Sequence, residues 1–439
     1  MATAPAVRLA GLPSRQAPMT WGQKNQYIAI EMSGEESYRQ NLVRSVPVPP
    51  GVETALICEA LAGILSRHEA LRTHFGRCEE DGFWQRVSGS VDLPLLMFDA
   101  ADDAELATAK AHVAGHNFDH ETQLPVRFAV VSHPDGTRSV ELAVSHLAAD
   151  AAGADVLAGE VGRALAGEAL LPAPQKQPVD RAAWEGSPEG QAMAARNVDR
   201  WRTLMQAGAT KVPAARGDGL RPRFWKGGLA SPALRIVLPA LATRLRISPT
   251  ALVLAGMAHV VAARFGLDSV AIRIGFNNRV ARPDKVAIES LMGWGLCHLT
   301  EVDGDRTQLA KAAANQAFQA YTTARFDIYD VLEVADRLRS EGAGETLPQF
   351  FLNIIDLPAP AADLRLHHDH LRELQAAATF DAAPSHTRDS SGLFILQVTQ
   401  VPEAVRLGFL LDTRLLSKAE LEQTLRQVED WLVSLALKR

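Results

Sequence analysis

Leu65-Ser66-Arg67-His68-Glu69-Ala70-Leu71-Arg72-Thr73-His74-Phe75 closes a stretch whose apolar residues fall at helical spacing. Over residues 52–70, Leu56, Ile57, Leu61, Ile64 and Leu65 recur on one face, the pattern of an amphipathic helix. Further along, strand patterns come in pairs. Residues 126–131 and 139–146 flank Pro134-Asp135-Gly136, where Pro presets φ and Gly permits a positive φ, so an antiparallel hairpin is expected. In its second arm Val140, Leu142, Val144 and His146 share one face by the period-two rule, which puts His146 at the end of a strand. Residues 154–165 read as the following helix.

Residues 168–232 look like a boundary: Pro172, Pro174 and Pro178, then a polar helical pattern, then Gly217, Gly219, Pro222, Gly227 and Gly228. Beyond it the alternation predicts strands at 233–238, 269–276, 349–355, 393–399 and 405–411, and a helix over 308–324. Ser248-Pro249 is a helix start, and the apolar run 251–263 is a buried core helix, too short to span a bilayer. The last helix opens on the capping box Ser417-Lys418-Ala419-Glu420. Strands and helices mix without a strict alternation, so the expected class is α+β with two lobes and mixed sheets.

Composition bounds the function. At 439 residues two to three domains are expected. Apolar residues at 47% and charged residues at 22% are ordinary globular usage, which excludes disordered and collagen-like chains. A net charge of −6 lacks the basic footprint of a nucleic-acid binder. Three separated cysteines, Cys58, Cys78 and Cys297, form neither a disulfide framework nor a zinc pattern and fit a reducing, cytoplasmic setting. Residues 1–20 carry no signal-peptide core and read as a flexible arm.

The segment richest in chemistry is Ser145-His146-Leu147-Ala148-Ala149-Asp150-Ala151-Ala152-Gly153. Among 13 histidines only His146 has an aspartate four residues on. Asp150 sits in an Ala-rich stretch that looks buried, and a buried carboxylate needs a partner. Four extended residues span roughly 13 Å, so Asp150 cannot orient the imidazole as in a serine triad; it reads as an anchor held by an arginine. The plainer alternative is a satisfied core histidine beside a helix-capping aspartate.

Several segments, in order from residue 18 to about 435, resemble the condensation-domain family of nonribosomal peptide synthetases, part of the chloramphenicol-acetyltransferase-like superfamily. Met19-Thr20-Trp21-Gly22-Gln23 is similar to its N-terminal segment, and Arg67 to Phe75 match RHExLRTxF. Phe118-Asp119 and Leu124-Pro125-Val126-Arg127 resemble FDL…PLR, and His146 and Asp150 fall on the second His and the Asp of HHxxxDG. Ile274 to Arg279 with Met292-Gly293-Trp294, Phe351-Leu352-Asn353, and residues 405–413 resemble later motifs. Within HHxxxDG two positions depart: Ser145 stands for the first His and Ala151 for the Gly.

The resemblance implies two lobes in a V-shaped pseudo-dimer with a tunnel between them and His146 at its centre. The implied layout is an arm over 1–20, an N-terminal lobe over 21–175, the connection and start of the second lobe over 176–232 and a C-terminal lobe over 233–439. His146 becomes the general base or positioning imidazole of acyl transfer. Asp150 becomes a structural anchor, with Arg279 of the second lobe as partner and Arg282 as the alternative; either arginine could instead be a solvated charge. Arg67 and Arg72 are assigned to lobe structure. Ser145, Ala151, Gly153, Trp294 and Asn353 are candidate tunnel or substrate contacts, although Trp294 and Asn353 fit a core role equally well. By strand parity Ser145 faces away from His146 and is no nucleophile.

His112, His116 and His120 have metal-ligand spacing, but Gly115 ends the helix, so they read as flexible surface residues. His367, His368 and His370 read as a solvated cluster. No phosphate loop is present, so no metal or bound cofactor is expected. The phosphopantetheine arm of an acyl or peptidyl carrier protein would deliver the substrate, with no nucleic acid or membrane partner.

The expected function is a free-standing condensation-type acyltransferase joining a carrier-bound acyl or aminoacyl thioester to an amine or alcohol in specialised-metabolite assembly. The rivals are a catalytically silent module that recruits a carrier-borne peptide or tailoring enzyme, and an acyl-CoA-dependent transferase.

Overall fold

The spacing of Ile57, Leu61, Ile64 and Leu65 forms the helix Thr54–Arg67 in the computed structural model. The structure describes residues 5–80, 82–170, 172, 174–207, 217–343, 346–359, 367–385 and 394–438. These four side chains are buried, whereas Leu56 lies on the exposed face. The chain then makes a 3-10 turn, Glu69–Arg72, into the strand Thr73–Cys78. Most of the polar groups this segment buries find a partner, Arg72 Nε being an exception among the described residues. His68 Nε2 lies 2.9 Å from Glu160 Oε2, and Arg15 Nη1 donates to both Glu69 oxygens at 3.2 and 3.3 Å. Thr73 Oγ1 donates to Glu69 O at 2.6 Å, and Arg72 Nη1 donates to Pro13 O at 3.2 Å and to Ser88 O. An orphaned buried group would cost about 1–3 kcal/mol, so this stretch fixes one arrangement of helix, N-terminal residues and strand.

Those N-terminal residues correct one expectation. Ala6–Leu9 pairs antiparallel with Val91–Asp99, and Arg15–Pro18 with Gly82–Val87, so residues 6–18 are built into sheets rather than forming an arm. Both are edge strands, where the missing N–H of Pro5, Pro13 and Pro18 is tolerated.

The chain divides into two units: Met1–Ala194 with Asn277–Gly293, and Ala195–Phe276 with Trp294–Arg439. This differs from the boundaries expected at 176–232 and 233. The helix Pro178–Glu185 lies in the first unit and residues 277–293 return to it, whereas the strand Phe224–Ser231, an inner strand of the second unit, falls in the stretch expected to begin the second lobe. The reason for that return is the buried bonding of Arg279 and Glu289 described below.

Among the described residues the first unit holds a five-stranded and a three-stranded sheet. The hairpin Val126–Ser132 and Arg138–Val144 is antiparallel as expected. Val91–Asp99 runs parallel to Val126–Ser132 and Leu42–Val48 antiparallel to Arg138–Val144. The helices Thr54–Arg67 and Ala151–Leu165 cover the sheet, with Leu61, Leu65, Phe128, Leu142 and Leu157 in the core. The second unit holds a seven-stranded sheet against the helices Pro232–Leu245, Pro249–Phe265 and Lys418–Leu437. The Pro249–Phe265 helix is the buried apolar run, and Ser417 and Glu420 form the capping box.

The strand expected at 233–238 is instead part of the helix Pro232–Leu245. Ser231 Oγ accepts from Leu234 N–H at 3.1 Å and Pro232 opens the first turn, the same device as Ser248-Pro249. Those end signals outweigh the strand preference of Ile236 and Val237. Among the described residues no single helix is long and apolar enough to cross a membrane.

In the first unit, Trp21 N–H donates to Glu185 Oε2 at 2.8 Å, and the two are buried. Burial pushes the Glu185 carboxyl up to about 8, helped by the charge of Glu289 and opposed by Trp21 N–H, Arg181 and Lys24. Folded Glu185 thus holds a proton that the unfolded chain releases near 4.5. Its contribution is present below pH 4.5 and is lost as pH rises toward 8. Glu185→Gln keeps an acceptor for Trp21 and cannot ionise. Thermal melts from pH 5 to 8.5 should show the variant gaining on wild type as pH rises; a constant gap across that range would refute the buried proton.

Candidate active site

The strand Arg138–Val144 ends before Ser145, and His146 stands in the turn that follows. The parity argument therefore stops short of these two residues. Ser145 carries the turn: its N–H donates to Pro125 O at 2.8 Å, and its carbonyl accepts from Ala148 N–H at 2.9 Å and Ala149 N–H at 3.2 Å. Ser145 Oγ accepts from Leu147 N–H at 3.2 Å and lies 2.7 Å from His120 Nε2. Ser145 is buried and hydrogen-bonded on all sides, while His146 is half-buried within an otherwise buried stretch.

Asp150 ends the turn and caps the helix Ala151–Leu165 by accepting from Gly153 N–H at 2.8 Å. The same carboxylate accepts from Arg279 Nη2 at 2.5 Å and from Leu291 N–H at 3.2 Å. Asp150 N–H donates to Glu289 O at 3.1 Å. Arg279 is itself buried and donates to Ala287 O at 2.8 Å, Glu289 O at 3.0 Å and Asp284 O. Glu289 Oε1 takes a 2.7 Å bond from Arg181 Nε, whose Nη2 reaches Asp284 at 2.8 Å. A capping aspartate and an arginine-held anchor prove to be one residue. Arg282 is exposed, so Arg279 is the partner.

Gly153 has a packing reason: a Cβ there would come within 3.1 Å of Arg279 Nη2 and 3.2 Å of the Glu289 backbone. Ala151 is exposed at the first helical position, where its carbonyl accepts from Arg44 at 3.2 Å.

His146 Nδ1 is buried and has no hydrogen-bond partner among the described residues. Burial pushes the imidazole below the usual histidine value, opposed by the backbone of the turn and the charge of Asp150. The ring is therefore neutral at pH 7, the form that accepts a proton.

Trp294 and Asn353 belong to the second unit. Trp294 meets Phe351 edge-to-face at 4.6 Å between centroids, and the Arg273 guanidinium lies 5.2 Å from the Trp294 ring. Gly275 leaves room there, since a Cβ would come within 3.2 Å of Trp294 and 3.5 Å of Asn353 Oδ1.

His120 corrects another expectation. It is no surface histidine: its ring packs 6.5 Å from that of Phe75 and 6.0 Å from that of Phe118, and it contacts Ser145. His112 and His116 stay on and just after the exposed helix Asp103–Ala114, and His367, His368 and His370 are exposed. Among the described residues no group of three or more His, Cys, Asp or Glu side chains is placed to hold a metal ion.

Residues 14–217 match the family model described as Condensation domain. Over 232 residues the chain is 26% identical to a Salinispora arenicola (strain CNS-205) protein named "Probable non-canonical nonribosomal peptide synthetase (NRPS) CymA". The match takes in 53% of this chain and 3% of that protein, so the chain spans a small part of its curated relative. Among solved structures, the condensation domain that mediates chain release from the enacyloxin polyketide synthase aligns with a TM-score of 0.73 at 18% identity, covering 98% of this chain and 84% of that one. The X-domain from teicoplanin biosynthesis aligns with a TM-score of 0.70 at 17% identity, covering 98% and 97%. The epimerization domain of tyrocidine synthetase B gives 0.70 at 15% identity, covering 98% of each chain. These likenesses show the fold, an α+β arrangement shared with condensation domains.

Proposed function

For this chain, a relative of the condensation domains, we propose acyl transfer from a carrier-protein thioester to an amine or alcohol, with His146 as the base. The observation that carries the reading is the His146 imidazole: half-buried, held neutral by burial, and set on a turn locked by the Asp150–Arg279 pair. A nucleophile N–H or O–H gives its proton to the ring as its bond to the thioester carbonyl carbon forms. The tetrahedral intermediate then expels the pantetheine sulfur, and the proton passes from the imidazolium to that thiolate. Atoms and charge balance, and the phosphopantetheine arm belongs to the substrate, so the reaction needs no cofactor of the enzyme's own. A cytoplasmic setting suits a chain with three well-separated cysteines, Cys58, Cys78 and Cys297.

The test is product formation from a carrier protein loaded in turn with acetyl, octanoyl and aminoacyl groups, with a panel of amines and alcohols, read by mass spectrometry. The matching acyl-CoA thioesters serve as competing donors. Equal or better use of acyl-CoA would overturn the carrier assignment. Because burial lowers the His146 value, the base form persists below the ordinary histidine range. The acid limb of kcat/KM should therefore fall below about pH 6.5, and a limb above that value would contradict a desolvated base.

One observation favours a second reading. Ser145 and Ala151 replace the first His and the Gly of the motif, and the X-domain, a structural neighbour, has been solved in complex with OxyB. A silent module that recruits a tailoring enzyme would keep the fold and show no turnover with any loaded carrier.

A further inference from the structure

The bond between His120 and Ser145 joins two positions that both depart from the family pattern. Ser145 stands where HHxxxDG has its first histidine, and His120 follows Phe118-Asp119, where the FDL segment has leucine. The imidazole missing at 145 arrives from 120, with Nε2 at 2.7 Å from Ser145 Oγ.

The surroundings hold that ring in place. His120 lies against Phe75 and Phe118, and its carbonyl accepts from Phe75 N–H at 2.8 Å. The Arg127 guanidinium covers the other ring of this stack, 4.5 Å from the Phe118 centroid. Asp119 is the charged neighbour that pulls its titration upward, but burial dominates and holds the imidazole down at about 4. A neutral ring with its proton on Nδ1 leaves Nε2 as an acceptor. Ser145 Oγ then donates to Nε2 and accepts from Leu147 N–H, which satisfies both Ser145 contacts. The hydroxyl becomes a fixed link between the His120 ring and the backbone amide one residue past His146.

We propose that His120 is a positioning residue for His146: bonded to Ser145 Oγ, it fixes the turn over 145–149 that carries the reactive imidazole, replacing from a neighbouring segment the motif histidine absent at 145. This rests on the acyl-transfer reading for its consequence in turnover, but its geometric content is independent of it.

The experiment uses the full chain with three variants: His120→Leu, Ser145→Ala and the exchange His120→Leu/Ser145→His. Long-range proton–nitrogen NMR of the histidine rings reports the His146 titration and tautomer without substrate, and diethylpyrocarbonate labelling reports its accessibility. In both single variants the His146 titration should move up toward the ordinary value and labelling should speed up about 3-fold or more, as water reaches a loosened turn. The exchange variant should return both toward wild type, which a merely space-filling histidine would not do. With the acyl-loaded carrier protein, the single variants should lose roughly 10- to 100-fold in kcat with KM little changed.

His146 titration and labelling unchanged in Ser145→Ala overturns the proposal, and that variant decides if His120→Leu does not fold. Exchange without recovery also overturns it. If the NMR shifts occur but no variant or wild type turns over any thioester, the positioning claim stands and the acyl-transfer reading falls.

Discussion

His146→Ala will abolish most product formation, by about 10²–10⁴-fold, and leave the melting temperature close to wild type. The two halves of that expectation have separate causes. On the proposed reading the imidazole is the base, so the proton on the attacking nitrogen or oxygen would lose its acceptor. Its Nδ1 holds no hydrogen bond among the described residues and the side chain is half-buried, so truncation breaks no hydrogen bond at that atom. Rates with loaded carrier protein, measured beside calorimetric melts, check both. Product at the wild-type rate would transfer the case to the silent-module reading. A collapse of the melt would make His146 a core residue instead.

Arg279→Ala should give the opposite profile. The Asp150 carboxylate would stay buried with its charge unmatched, and the carbonyls of Asp284, Ala287 and Glu289 would lose a donor. Breaking a buried pair of this kind costs about 3–5 kcal/mol. Asp150→Ala should cost as much, because it also strips Gly153 N–H of its cap and Leu291 N–H of its acceptor. Urea unfolding of both variants, followed by tryptophan fluorescence, measures the loss. Normal unfolding with a selective fall in turnover would contradict an architectural role and place the pair in the chemistry.

The fold was legible where the sequence marks both the face and the ends of an element. Ile57 to Leu65 mark a face, Pro134-Asp135-Gly136 marks a hairpin, and Ser417 with Glu420 marks a helix start. The helix Pro232–Leu245 is masked because Ile236 and Val237 suit a strand, although Ser231-Pro232 carries the same start signal as Ser248-Pro249. The edge strands near the N-terminus escaped because four residues between prolines show no period.

At the site, Asp150 and Arg279 were legible as an apolar-flanked acid and a family-placed base. Glu289 and Leu291 were not, because they contribute backbone groups, which any residue type supplies. His120 was hidden by its own spacing: at i+4 and i+8 from two exposed histidines it looked like their companion. The available signal was its place after Phe118-Asp119, where the motif has an apolar residue.

The return of residues 277–293 to the first unit bears on how this chain comes off the ribosome. Its N-terminal half emerges with Asp150 already made and the guanidinium that neutralises it more than a hundred positions away. Until that later stretch clears the exit tunnel, the nascent first unit carries an unmatched acid in its interior and waits unfinished. A gene cut between the halves would thus yield a fragment that needs its missing strap supplied in trans, and a peptide of residues 277–293 is the piece to add.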